Sequence, residues 1–243
     1  MSDNAHIASA FDRDLETIQA LIMKMGGLVE AAIMDAARSL ETRDEDLAEQ
    51  VRKNDKLIDA LEEEINAEAV RVIALRAPMG SDLRLVLSVI KMSANLERVG
   101  DYAKNMGKRT SALVQMEQIE GAAGALRRMS KAVEQMLRDV LDAYVRGDAL
   151  LAEDVRQRDA DVDQMYTALF RQFITYMIED PRNISACMHL HFIAKNIERM
   201  GDHVTSIAEQ VVFIVTGELP DEDRSKGDRT SYDNLGDHLG GEL

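Results

Sequence analysis

Four pairs of acidic residues share one spacing, with the second acid four residues after the first. If these segments are helical, at about 3.6 residues per turn, both carboxylates of a pair lie on one face of the helix and repel each other. Raised pKa values or a bound cation would relieve that repulsion. Carboxylate oxygens suit hard cations such as Mg²⁺, Ca²⁺, Mn²⁺ and Fe³⁺, and Zn²⁺ can also bind them. The pairs are Asp55/Asp59, Glu97/Asp101, Asp159/Asp163 and Glu198/Asp202.

The pairs belong to an internal repeat. The phrase "NLERVGD" begins at Asn95, and "NIERMGD" begins 101 residues later at Asn196. Upstream, "NDKLID" at Asn54 corresponds to "RDADVD" at Arg158, 104 residues later. A difference of three residues between the offsets fits a change of length in a turn. The sequence therefore indicates a duplication in which each half carries two acid pairs.

A second interpretation of the pairs stays open. With 44 acidic residues in 243, the same spacing also arises without any repeat. The acids could line a solvated helix face, or duplication could have preserved a salt-bridge pattern. Arg98 and Arg199 adjoin the acids as candidate counter-ions, and Asn95 and Asn196 are candidate supporting residues. Pairs outside the repeat are Asp12/Glu16, Glu41/Glu45 and Glu64/Glu68.

The elements that carry the pairs are predicted to be long helices. Apolar residues recur at spacings of three and four, prolines number 3, and good helix formers dominate, which predicts an all-α fold. In one predicted apolar seam, Val51, Asn54 and Ile58 place Asp55 and Asp59 one residue to its side. In another, Asp159 lies one residue after Arg158. All four pairs then flank their seams on the same side, so the acids of each half should converge on one groove.

Turn residues divide the chain into six helices. Breaks are predicted around Arg43, at "RAPMGSD" from Arg76, near Gly121, at "RGDA" from Arg146 and at "EDPRNIS" from Glu179. Ser81 or Asp82 is expected to cap the third helix. The simplest architecture is two tandem, internally duplicated three-helix bundles, residues 1–117 and 118–218. Residues 219–243 lack periodicity and are expected to form a mobile polar tail.

Composition excludes several classes of protein. A net charge of −15 and a pI of about 4.8 argue against a nucleic-acid-binding protein and suit binding of cations or basic surfaces. Cys187 is the only cysteine, so no intrachain disulfide can form. We expect no signal peptide and no apolar run of the roughly 20 residues that a membrane helix needs. No Glu-x-x-His pair, nucleotide-binding loop or hydrolase motif occurs.

The doubled E-x-x-x-D phrases, the upstream D-x-x-x-D pairs and the opening "HIASAFDRDLETI" resemble the PhoU family over about residues 6–218. The resemblance implies a non-enzymatic, cytoplasmic protein of two helical bundles that forms homodimers. It implies that all eight paired acids bind metal ions (iron, zinc, manganese or magnesium) as multinuclear clusters.

The resemblance also implies partners. These are the ATPase subunit of the high-affinity phosphate ABC transporter and a sensor histidine kinase, so the membrane is reached only through partners. The implied role is negative regulation of the phosphate-starvation regulon and of phosphate uptake. Two alternatives remain: a metalloenzyme that uses the carboxylate clusters, and an accessory protein of a low-affinity phosphate permease. Metal-dependent turnover would favour the first, and a permease gene beside this one would favour the second.

Overall fold

A computed structural model describes the backbone of residues 2–220 and the side chains from residue 10 onward. The predicted tail, residues 219–243, lies outside the described residues except for its first two. Over the described range the regular structure is six α-helices and a single 3-10 turn, Pro181–Asn183, without strands. The helices are α1 Ser2–Thr42, α2 Glu45–Arg76, α3 Ser81–Leu113, α4 Ala122–Arg146, α5 Ala149–Glu179 and α6 Ile184–Thr216.

The helices end where the turn residues predicted. Asp44 caps α2 by accepting a hydrogen bond from the backbone N–H of Leu47 (2.9 Å), and Asp148 caps α5 in the same manner. The predicted cap of α3 was wrong, because the residue at that position is Gly80, which makes no side-chain cap bond. Its φ of +59° turns the chain one residue earlier than expected, which places Ser81 and Asp82 inside the first helical turn.

The six helices form two three-helix groups that pack side by side. Helices α1, α2 and α3 contact one another, as do α4, α5 and α6. The groups meet where α3 packs against α6 and α1 packs against α4, and one continuous apolar core runs through both. Tyr102 and His203 hold equivalent places in the repeated phrases, and their rings lie 5.6 Å apart. Equivalent positions of the two halves therefore meet where α3 packs against α6.

Helix α1 contains a longer apolar segment than was expected from the sequence. A window within Ala10–Thr42 reaches a mean hydropathy of 1.3, so this segment is long and apolar enough to span a membrane by length and composition alone. Its fully buried residues include Ile18, Ile22 and Met25. Packing of α1 against α2, α3 and α4 buries 33% of the window, which accounts for part of this apolar composition.

Gly107 permits a close approach between α2 and α3. A Cβ at this position would lie 2.8 Å from the carbonyl oxygen of Ala48, which is backbone and cannot rotate away. Overpacking of this kind costs about 1–3 kcal/mol, against a gain of roughly 1 kcal/mol when a helical glycine becomes alanine. We therefore expect Gly107→Ala to lower the free energy of unfolding in urea by about 1 kcal/mol. Gly27→Ala is the control, because a Cβ there meets nothing within 4 Å and should stabilise the protein. Equal stability of the two variants would contradict the prediction.

Candidate functional site

The glycine of each repeated phrase brings the helices that carry the acids together. A Cβ at Gly100 of α3 would lie 2.9 Å from Ile58 Cδ1 and 3.6 Å from Asp55 Oδ1 of α2. The equivalent Cβ at Gly201 of α6 would lie 3.0 Å from Asp159 Oδ1 of α5. Because glycine leaves this space free, the first aspartate of each D-x-x-x-D pair packs directly against the helix that carries the E-x-x-x-D pair.

In the first half, a lysine ammonium bridges the acids of α2 and α3. Lys104 Nζ lies 2.5 Å from Asp55 Oδ2 and 3.2 Å from Asp101 Oδ1. The Asp55 side chain is 3% exposed, whereas that of Lys104 is 42% exposed. The ammonium thus occupies the position between α2 and α3 that a shared cation would take. The pKa of Lys104 is raised, mainly by its hydrogen bond to Asp55.

The acids of the first half also interact with one another. Burial raises the pKa of Asp55 despite Lys104, with smaller contributions from the charges of Asp59 and Asp101. The pKa of Glu97 is raised to about 7, first by burial and then by the negative charge of Asp101, with Asp59 adding to it. Lys104 thus joins Asp55 and Asp101, and Glu97 lies close enough to Asp101 to hold a proton near neutral pH. The convergence of all four acids on one groove stays a prediction.

In the second half a lysine at a non-equivalent position contacts an acid of its own helix. Lys195 Nζ lies 2.7 Å from Glu198 Oε1 within α6. Burial raises the pKa of Glu198 in spite of Lys195, and the charges of Asp202 and Asp163 raise it further. Asp159 and Asp163 of α5 are both buried. Glu198 of α6 and Asp163 of α5 thus lie near enough for their charges to interact across the two helices.

The predicted seams need one correction. Asn54 is exposed, while Asp55 lies in the buried seam of α2 between Val51 and Ile58. In α5, likewise, Asp159 lies in the seam itself, ahead of the buried Val162. The close approach of the helices at Gly100 and Gly201 covers both aspartates and makes them part of the buried seam.

The predicted counter-ions were only partly right. Arg98 lies 3.6 Å from Glu97 and 3.7 Å from Asp101, and its side chain is 61% exposed, so its stabilising effect is small. Arg199 is exposed and forms no ion pair with any residue that the structure describes. The lysines were not predicted as counter-ions, although their spacing favours ion pairs. Lys104 follows Asp101 by three residues, and Lys195 precedes Glu198 by three.

The two asparagines lie between the halves and contact no acid of the clusters. His203 Nδ1 donates to Asn95 Oδ1 across α3 and α6 at 2.8 Å, and Asn95 Nδ2 donates to the carbonyl oxygen of Lys91. Asn196 lines a groove between the same helices. Both residues lie at the α3–α6 contact, and their supporting role at the acids stays a prediction. Sequence spacing could not show this, because it does not reveal which helix packs beside α3.

The donor set of each cluster fits a metal ion, although the side chains are not arranged as ligands. In the described part of the chain no three His, Cys, Asp or Glu side chains stand together as a ready-made metal site. However, Asp55 Oδ1 and Glu198 Oε2 are buried there without a hydrogen-bond partner. Buried carboxylate oxygens without partners are costly, and a hard cation would satisfy them once the lysine ammonium moved away. Metal binding by the eight acids stays a prediction.

Comparison with known proteins gives matches along most of the chain. The PhoU domain matches residues 22–110 and 126–211, one match in each half. A protein of Rhizobium meliloti named phosphate-specific transport system accessory protein PhoU homolog is 43% identical over 228 residues, which cover 94% of this chain and 96% of the relative. A Zymomonas mobilis protein of the same name is 46% identical over 226 residues, covering 93% and 95%.

Two solved structures are similar in fold. The crystal structure of PhoU from Pseudomonas aeruginosa has a TM-score of 0.83 at 39% identity and covers 86% of this chain and 100% of that one. The crystal structure of the phosphate transport system regulatory protein PhoU from Streptococcus pneumoniae has a TM-score of 0.81 at 30% identity, with coverage of 87% and 99%. The duplicated six-helix arrangement is thus shared with both.

Proposed function

Because the chain belongs to the PhoU family, we propose that it is a non-enzymatic accessory protein of phosphate-specific transport. The observation that carries the proposal is the near-complete match, at 43–46% identity, to relatives named for that role. The sequence contains no catalytic motif that would favour an enzyme instead. Long exposed helix faces, such as those of a six-helix protein, are suited to binding other proteins.

In detail, we propose a cytoplasmic adaptor, acting as a homodimer, between the ATPase subunit of a phosphate ABC transporter and a sensor histidine kinase. When phosphate is plentiful, the adaptor would hold the kinase in its inactive mode and restrain phosphate uptake. The relative from Streptococcus pneumoniae is named a regulatory protein of the phosphate transport system, which supports the regulatory part of the proposal.

A deletion strain tests this role. We expect loss of the gene to make alkaline phosphatase expression constitutive in phosphate-rich medium, and expression of the chain in trans to restore repression. The tagged chain should also co-purify with the transporter ATPase and the kinase. Normal phosphate repression in the deletion strain would contradict the adaptor. Normal repression with a low-affinity permease as the sole co-purifying partner would favour the permease accessory protein.

The metal sites are part of the proposal. Asp55, Asp59, Glu97 and Asp101 would hold the ions of the first half, and Asp159, Asp163, Glu198 and Asp202 those of the second. A bound metal would supply positive charge that neutralises the carboxylates. The buried unpartnered oxygens of Asp55 and Glu198 support this assignment. Within the chain, the acids of α2 and α3, and of α5 and α6, would then be tied across each helix pair.

Elemental analysis of protein purified without chelator tests the metal sites. We expect Asp55→Asn/Glu97→Gln to remove the metal of the first half and leave that of the second, so that content falls by about half, because removing carboxylate ligands weakens a hard-cation site. Asp159→Asn/Glu198→Gln should remove the metal of the second half and leave that of the first. Asp12→Asn/Glu16→Gln is the control, since both residues are exposed and have the same spacing. Equal metal content in all four proteins would contradict the prediction.

A further inference from the structure

A groove between α3 and α6 lies outside the acid clusters. Its volume is about 480 Å³, within the range of small-molecule sites. None of its lining residues is acidic, although the chain as a whole carries a net charge of −15. We call it the basic groove, and it is lined by Asn105, Lys108, Arg109 and Ala112 of α3 and by His189 and Asn196 of α6.

Among the residues that the structure describes, no acid pairs with the cationic side chains of the basic groove. Neither Lys108 nor Arg109 forms an ion pair or hydrogen bond with any residue that the structure describes. Arg109 instead lies over the ring of Phe192, with its guanidinium carbon 4.1 Å from the ring centroid. Lys104, one turn earlier on α3, contacts two carboxylates. The acids that neutralise neighbouring cations on this helix therefore do not reach the groove.

Two further features indicate a missing ligand. Arg109 is half-buried, and burial lowers its pKa, which means that its charge is partly removed from water without compensation. His189 Nδ1 is buried without a hydrogen-bond partner among the described residues. This end of the groove therefore carries a polar group whose hydrogen-bonding capacity is not satisfied from within the fold. Both features lie on the same groove.

We propose that the basic groove binds a phosphate-bearing anion. The planar guanidinium of Arg109, positioned by Phe192, can donate two parallel hydrogen bonds to a phosphate, and Lys108 adds a second full positive charge. The Asn105 and Asn196 amides provide neutral donors. Two cations match a phosphate group, which carries about −1.5 to −2 at neutral pH, better than they match a carboxylate. The volume leaves room for a group attached to the phosphate.

The phosphate could be free or part of a larger molecule, and calorimetric titration of the full chain distinguishes the two. Orthophosphate and ATP are the probes, and sulfate is the comparison anion. Orthophosphate binding as tight as ATP binding identifies free phosphate as the ligand, whereas binding of ATP alone identifies a phosphorylated metabolite. Binding of neither probe, or equal binding of sulfate and orthophosphate without ATP preference, would overturn the proposal.

Variants assign the binding to the groove. We expect Arg109→Gln to weaken it tenfold or more and Lys108→Gln to weaken it about threefold. Lys108 is exposed, so its replacement tests the site without threatening the fold. Lys131→Gln, at an exposed position on α4, is the matched control and should stay within twofold of the unmodified protein. Binding that chelator abolishes and that Arg109→Gln and Lys108→Gln leave unchanged would place the anion on metal ions and overturn the proposal.

Discussion

Replacing Glu97 with glutamine is expected to raise the free energy of unfolding of the chelator-treated protein by about 2 kcal/mol at pH 8 and to change it little at pH 4.5. The folded pKa of Glu97 is about 7, because the carboxyl is half-buried beside Asp101, whereas the ordinary value is 4.5. Between these pH values the folded protein binds more protons than the unfolded chain. Its stability therefore falls as pH rises from about 4.5 to about 7, and it stays low above that window.

The size of the effect follows from the pKa difference. One pKa unit corresponds to about 1.4 kcal/mol. The protonated Glu97 side chain is hydrogen-bonded to Asp101, and the two carboxyls titrate together. We therefore expect the free energy of unfolding to change by about 2 kcal/mol, less than the whole pKa difference would give. A glutamine amide can still donate to Asp101 but carries no charge, so the pH dependence in this window should flatten in the variant.

Urea unfolding followed by circular dichroism between pH 4.5 and pH 8 measures the effect. Glu64→Gln is the control, because Glu64 is exposed on α2 and is also part of an i,i+4 acid pair, with Glu68. It should change the stability by less than about 0.5 kcal/mol at every pH. A Glu97→Gln variant with the same pH profile as the unmodified protein would show that the carboxyl is ionised throughout, contrary to its position in the structure.

Replacing Lys104 with methionine is expected to lower the free energy of unfolding by about 2 kcal/mol near pH 8. The change leaves the buried Asp55 carboxylate without its ammonium partner. Removing one member of a fully buried ion pair costs about 3–5 kcal/mol, and the lower figure allows for the 42% exposure of Lys104. Without the lysine the pKa of Asp55 rises further, so the lost stability should return as acid protonates this carboxyl.

A second substitution separates the lost ion pair from lost packing. Adding Asp55→Asn to Lys104→Met removes the unpaired charge, and it should recover most of the stability at pH 8. Lys53→Met is the control, since Lys53 is 73% exposed and lies 3.7 Å from its partner Glu49. A double variant as unstable as Lys104→Met alone would mean that the aliphatic packing of Lys104, and not its charge, stabilises this part of the protein.

The positions of the helices could be predicted closely from the sequence, whereas the surroundings of the acids could not. Breaks at Arg43, Pro78, Gly121, Gly147 and Pro181 are local, because proline and positive-φ positions stop a helix whatever packs against it. The placement of Asp55 is not local. The helical spacing predicts that Asp55 lies beside the apolar seam of α2. In the structure α3 approaches α2 at Gly100, and Asp55 is part of the buried seam.

The sequence by itself determined the duplicated all-α fold and the two acid-bearing helices of each half, because the repeat and the helical period can be read along the chain. Only the tertiary structure decided which cations face those acids. Lys104, Lys195, Arg98 and Arg199 all have spacings that allow an ion pair. Only the lysines contact the buried carboxylates of Asp55 and Glu198, whereas the Arg98 side chain is 61% exposed. The basic groove also exists only where α3 meets α6, since its residues come from both halves of the chain.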